Sequence, residues 1–470
     1  MTIENIKDIV DDELFNKLLL GTIDPTQEII LKILKKASKK KGLSLEDVAA
    51  LCNCTDPVLI AKIFEFAYKI KQDIYGERIV LFAPLYISDF CVNDCEYCNF
   101  HCRNNSPRRK LSLEEVASQT KALVDMGHKR LLLEFGEHPV ENPIDYVVDT
   151  INTIYKTKSK NGEIRRVNVN IAATTVENYR KLKEAGIGTY QLFQETYHRP
   201  TFEKLHHGPK AKYERQLFAH NKAFEAGIDD LGIGVLYGLY DWRYEVLALV
   251  SHAAYMDKTF GVGPHTISVP RFQETPGVDF KPPYPVSEDE LLKIVAILRL
   301  AVPYTGMIIS TRERPEIREQ AFKLGISQTS AGSRVEVGGY DENSKPVTKS
   351  PKDDGCGQFT THDPRTLDQI VISLCDQGLL PSFCTACYRS LRTGESFMEI
   401  AKPGNIHNFC RPNGILTFKE YLLDYASPLA KQKGEKLIRE YLDKIPSKKR
   451  REETMERLAR LEKGERDLYF

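Results

Sequence analysis

The sequence predicts an α/β chain built on an eight-stranded (β/α)8 barrel of the TIM type. A helical N-terminal extension covers residues 1–78, the barrel covers 79–339, and a mainly helical C-terminal region covers 340–470. Three observations predict this. Eight short apolar runs follow one another, each leading into a longer amphipathic stretch, which is the signature of a parallel sheet. Eight is the number of strands that closes a barrel. The alternation then stops after Gly339, where a polar loop begins.

The elements follow in order. Ile29, Ile30, Ile33 and Leu34, and later Ile60, Ile63, Phe64 and Ala67, recur at helical spacing. Ser44 followed by Asp47 marks a helix start. The expected strands are 79–86, 130–135, 167–171, 189–193, 231–236, 266–269, 307–310 and 326–329. Helices are expected over 113–125, 176–184, 213–226, 242–255, 288–300 and 315–323. Ser112 with Glu115, and Ser287 with Glu290, fit capping boxes. Glu-Ala-Gly at 184–186 and again at 225–227 supplies glycine stops. Residues 340–357 read as a polar loop, and the tail from Pro446 as a charged, solvated helix.

Composition narrows the function classes. Lys+Arg 66 against Asp+Glu 65 leaves a net charge of +1, so no basic excess points to nucleic acid. No apolar run reaches 18 residues, which excludes a transmembrane helix on sequence grounds. The acidic N-terminus lacks the pattern of a signal peptide, so the expected location is the cytoplasm.

Eleven cysteines in a reducing compartment need a reason other than disulfides. Cys91, Cys95 and Cys98 form one group, and Cys384, Cys387 and Cys410 another. Cys52, Cys54, Cys102, Cys356 and Cys375 are scattered and read mostly as small buried hydrophobes. In FCVNDCEYCNF, residues 90–100, three thiols follow a strong predicted strand. Three thiolates are one short of the four that usually hold a [4Fe–4S] cluster, which leaves one iron open. The alternative is zinc, with His101 as the best fourth ligand.

This segment resembles the signature of the radical S-adenosylmethionine (SAM) superfamily, CxxxCxxC after the first barrel strand. The resemblance implies a [4Fe–4S] cluster on Cys91, Cys95 and Cys98, with SAM on the open iron. It places Tyr97 near the adenine. It places Gly136 and Glu137 at the SAM amino group, in a segment where the family's Gly-Gly-Glu reads Phe135-Gly136-Glu137. Glu195 and Arg215 read either as a structural salt bridge or as a clamp on zwitterionic SAM, with Arg215 on its carboxylate. Gly232, Gly234 and Gly238 would let backbone approach the adenine.

Residues 191–243, with GPHTISVPRFQ at 263–273 and SQTSAGSRVEVGGY at 327–340, look like the aromatic-amino-acid lyase branch of the superfamily. That branch includes the thiamine-pathway 2-iminoacetate synthase and the tyrosine lyase of [FeFe]-hydrogenase maturation. Cys384, Cys387 and Cys410 resemble the second, which holds an auxiliary [4Fe–4S] cluster there; His265 matches the ligand of an extra iron. The resemblance implies cleavage of the Cα–Cβ bond of L-tyrosine to p-cresol and dehydroglycine, and conversion of dehydroglycine to carbon monoxide and cyanide. It implies hydrogenase maturation proteins and an electron donor as partners. Arg271 or Arg312 would meet the tyrosine carboxylate, and Ser330 and Ser333 would add donors. Against this, the two arginines could bridge to Glu274 and Glu313. The runner-up is the thiamine-pathway enzyme, with one cluster. A zinc-stabilised scaffold, using a histidine such as His407 at the C-terminal cysteines, is the alternative from another class.

Overall fold

The computed structural model describes residues 5–160, 162–275, 277–340, 357–403 and 406–470. Cys356 and the side chain of His407 lie outside the described residues. Four helices open the chain: α1 (Asp12–Gly21), α2 (Gln27–Ala37), α3 (Leu45–Asn53) and α4 (Pro57–Tyr75). Each begins at a side chain that caps it: Asp11, Thr26, Ser44 and Asp56. The Ser44–Asp47 capping box is complete. α4 packs on the helices over Glu288–Ala301 and Pro315–Leu324. Lys293 ties this layer down by donating to the Cys52 and Cys54 carbonyls at 2.8 and 2.6 Å. Both cysteines are buried in the core.

Eight parallel strands close the barrel: β1 (Arg78–Ser88), β2 (Arg130–Phe135), β3 (Arg166–Asn170), β4 (Tyr190–Gln191), β5 (Leu231–Gly234), β6 (Thr266–Ser268), β7 (Gly306–Ile309) and β8 (Gln328–Ser330). β8 returns to β1 with Val80 opposite Gln328, so the ring has no open edge. β4 is shorter than the sequence predicts. Beyond Gln191 only alternate amides stay bonded, Leu192 to the Gly232 carbonyl and Gln194 to that of Gly234, both at 3.0 Å. The capping boxes at Ser112 and Ser287 form, and Gly186 and Gly227 adopt positive φ at helix ends.

A ninth strand was not foreseen. β9 (Leu380–Ser382) pairs in parallel with Arg78–Val80, at the amino end of β1. Its alternation is hidden by a proline in a three-residue run. Helices follow over Ala386–Arg389, Gly394–Ala401, Ile406–Asp424, Pro428–Asp443 and Lys448–Glu462. The charged tail helix is tied down at its end. Phe470 donates to Asn413 at 2.8 Å, and the Arg457 guanidinium lies 3.5 Å over its ring. Among the described residues, no helix is long and apolar enough to cross a membrane.

Candidate active site

The first cysteine triplet leaves β1 at the carboxyl end of the barrel, where a β-bulge between Tyr86 and Ser88 turns the chain. Backbone bonds pin the loop: Val92 N–H donates to the Glu137 carbonyl at 2.7 Å, and Asp94 N–H to that of His207 at 3.1 Å. Cys95 is buried, Cys91 and Cys98 half-buried, and all three line one cavity of about 220 Å³ inside the barrel mouth. Burial raises all three thiols, Cys98 to about 11. They therefore need a positive group to be held as thiolates. His101, the zinc candidate, is engaged elsewhere, 2.8 Å from Asp94.

Gly136 sits where the loop crosses β2. A Cβ there would stand 2.4 Å from the Phe90 carbonyl oxygen, so only glycine allows the crossing. Glu137 accepts from Arg215 and from Asn93, both at 2.6 Å. The expected Glu195–Arg215 pairing is therefore not formed. Glu195 instead takes Lys210 at 2.8 Å. Lys210 is one of the residues that sequence reasoning missed; one of two lysines in HHGPKAK carries no pattern. Glu195 also adopts φ +67°, a strained conformation for a residue with a Cβ.

Glu245, fully buried on the helix Trp242–Phe260, braces this turn. It accepts from the Thr196 hydroxyl and from the Tyr197 amide at 2.8 Å. Burial raises its carboxyl to about 8. The folded state then holds a proton between the ordinary carboxylate range and pH 8 that the unfolded chain releases. Stability from this group is full at low pH and lost as pH rises through about 8. Glu245→Gln is therefore expected to gain melting temperature relative to the wild type between pH 6 and pH 9. An unchanged difference across that range refutes it.

Tyr97 borders the cavity. Its hydroxyl lies 2.8 Å from His206 Nε2, and His206 Nδ1 donates to the Phe202 carbonyl at 2.7 Å. Gly232 and Gly234 do not border it. Added Cβ atoms would meet Thr266 Oγ1 at 2.6 Å and the Phe193 ring at 2.7 Å, so these glycines make room for neighbouring side chains rather than for adenine.

The substrate candidates separate. Arg271 is consumed by Glu313, with Nε 3.2 Å from Oε1, and by the Val286 carbonyl at 2.9 Å. It lies off the cavity, and its partner is not Glu274. Arg312 does line the cavity, its guanidinium 3.4 Å over the Phe359 ring. Ser330 also lines it, and its hydroxyl accepts from the Thr311 amide at 3.3 Å. Ser333 is buried away from it, with no hydrogen-bond partner for its hydroxyl among the described residues.

The second triplet lies at the opposite end of the barrel. β9 delivers Cys384, the next short helix Cys387, and the helix Ile406–Asp424 brings Cys410. These thiols share a pocket of about 50 Å³ with His265, Arg78 and Arg130. Cys410 is lowered by the Cys387 thiol that donates to it and by the nearby Arg78, Arg392 and Arg130. His265 immediately precedes β6. Its Nδ1 has no hydrogen-bond partner among the described residues and lies 3.7 Å from Asp230. Among the described residues, no three metal-binding side chains converge on the single point that one ion needs. The thiols of each triplet instead border a shared cavity, which suits a group with several metal corners.

A closed barrel that presents CxxxCxxC at the carboxyl end of its first strand, over a deep cavity, defines a radical SAM enzyme. The model of the radical SAM superfamily matches residues 85–250, and that of the biotin and thiamin synthesis associated domain matches 268–380. The crystal structure of HydG, a maturase of the [FeFe]-hydrogenase, is 54% identical to the chain. It covers 98% of this chain and 100% of that one, with a TM-score of 0.94. HydG from Carboxydothermus hydrogenoformans is 38% identical, covering 97% and 100%, with a TM-score of 0.84. A 2-iminoacetate synthase from Salmonella typhimurium is 29% identical over 349 residues, 74% of this chain and 88% of that protein. The chain belongs to the HydG family of radical SAM proteins.

Proposed function

We propose that the protein cleaves the Cα–Cβ bond of L-tyrosine to p-cresol and dehydroglycine, and that dehydroglycine is converted to carbon monoxide and cyanide for assembly of the [FeFe]-hydrogenase active site. The observation that carries this reading is the second cysteine triplet, set with His265 at the far end of the same barrel. The thiamine-type alternative needs one cysteine site, and its representative above is the more distant relative. The reading keeps the division into residues 1–78, 79–339 and 340–470. Hydrogenase maturation proteins and an electron donor are its partners, and the cytoplasm its location.

In this reading Cys91, Cys95 and Cys98 hold a [4Fe–4S] cluster, which when bound supplies the electron that splits SAM into methionine and a 5′-deoxyadenosyl radical. Cys384, Cys387 and Cys410 hold an auxiliary [4Fe–4S] cluster, with His265 on an extra iron. The chain's own work is placement. Asn93 and Arg215 fix Glu137 for the SAM amino group, Lys210 fixes Glu195, and Tyr97 walls the adenine side. The barrel excludes water from a radical that would otherwise be quenched.

Arg215 has a carboxylate of its own chain to hold, so its removal frees Glu137 as well as losing a donor. Arg215→Ala is expected to weaken SAM binding about ten- to a hundred-fold. An unchanged affinity in folded, cluster-loaded protein returns Arg215 to a structural role. The reading as a whole is tested by anaerobic incubation with SAM, reductant and L-tyrosine. It expects p-cresol, cyanide and carbon monoxide. p-Cresol without carbon monoxide supports the thiamine-type lyase, and neither product, with zinc bound and no sulfide, supports the scaffold.

A further inference from the structure

Three carboxylates line the upper cavity: Glu134, Glu137 and Glu195. Glu137 is held by Arg215 and Asn93, and Glu195 by Lys210. Glu134 has no cation within ion-pair distance among the described residues; Asn170, its register neighbour on β3, supplies its hydrogen bond. The cavity's cations divide the same way. Lys210 is spoken for, whereas Arg312 stacks on Phe359 and has no carboxylate within ion-pair distance among the described residues. Glu134 and Arg312 thus face one cavity and attract each other across it without closing an ion pair. A ligand carrying both opposite charges can pair with each of them at hydrogen-bond distance. Tyr86, Phe100, Phe193 and Phe359 supply aromatic walls between them.

We propose that Glu134 receives the ammonium group of an aromatic α-amino acid and acts as the base that deprotonates it, while Arg312 receives the carboxylate. The inference rests on the tyrosine reading above and assigns a catalytic group to it. In the step, one N–H bond of the ammonium breaks, the proton passes to a Glu134 oxygen, and the electron pair stays on nitrogen. The result is a neutral amine with two N–H bonds and a protonated Glu134. No oxidant or reductant is consumed. The deprotonation readies the amine for hydrogen-atom loss, because an N–H on a cationic nitrogen is a poor donor to a carbon radical. Burial favours the protonated product, since it raises the Glu134 carboxyl to about 8.

The test compares two ligands by calorimetry on anaerobic, cluster-loaded protein with SAM present. One is L-tyrosine; the other is 3-(4-hydroxyphenyl)propanoate, which lacks the amine. The wild type is expected to prefer tyrosine about ten- to a hundred-fold. Glu134→Gln keeps the shape and the Asn170 contact. It should bring the two affinities within about threefold, leave the propanoate affinity unchanged, and lose p-cresol formation. Arg312→Gln should weaken both ligands together. Tyrosine preference that survives in Glu134→Gln overturns the assignment, as does equal loss of both ligands in that variant while SAM still binds. A wild type that binds neither ligand overturns the tyrosine reading itself, and the assignment with it.

Discussion

Alanine at any one of Cys91, Cys95 or Cys98 is expected to abolish SAM cleavage, with no 5′-deoxyadenosine above the background of protein-free controls. The loop has no reserve ligand. His101 is bound to Asp94, Cys102 is exposed, and Asn93 Nδ2 is taken up by Glu137. Two thiolates cannot hold a cubane that already leaves one iron open. The backbone bonds that pin the loop do not involve the sulfur atoms, so each variant should fold and melt close to the wild type. That separates loss of ligand from loss of structure. Substantial 5′-deoxyadenosine from any of the three, in reconstituted protein of known iron and sulfide content, defeats the assignment of this triplet.

Cys384→Ser with Cys387→Ser is expected to divide the products. p-Cresol should persist, because the cavity proposed for SAM and tyrosine is walled by the loop after β1 and the carboxyl ends of the strands. No residue of the second triplet reaches it. Carbon monoxide should vanish and cyanide fall sharply. His265→Ala should act as a milder version, since the cysteines remain while the side chain beside them goes. The readout is p-cresol, cyanide and carbon monoxide from one reaction per variant. Carbon monoxide at the wild-type ratio to p-cresol makes these cysteines structural. Loss of p-cresol with SAM cleavage retained means the C-terminal region shapes the tyrosine site after all.

Much of this was readable from sequence, for physical reasons that also explain the rest. The eight barrel strands are buried runs bounded by glycine stops and capping boxes, and those signals are local. The cysteine triplets are legible because metal chemistry restricts both residue type and spacing. β9 was not, because three residues held by one neighbour leave no periodicity. Pairings were the harder part. Glu137 follows β2 while Glu195, Lys210 and Arg215 share the long connection from β4 to β5, and opposite charge alone does not say which acid meets which base. Arg271 and Arg312 look alike in sequence, yet one is spent on Glu313 and the other faces the cavity. Gly136 is required where the chain passes the Phe90 carbonyl, a reason its motif does not state; Gly232 and Gly234 make room for Thr266 and Phe193.

β1 carries β9 against its first residues and releases the CxxxCxxC loop from its last. Its 11 residues span about 35 Å. The strand therefore acts as a spacer between the two cysteine groups. The same run of backbone that launches one cysteine group anchors the strand that delivers the other, so the two groups keep opposite ends of the barrel.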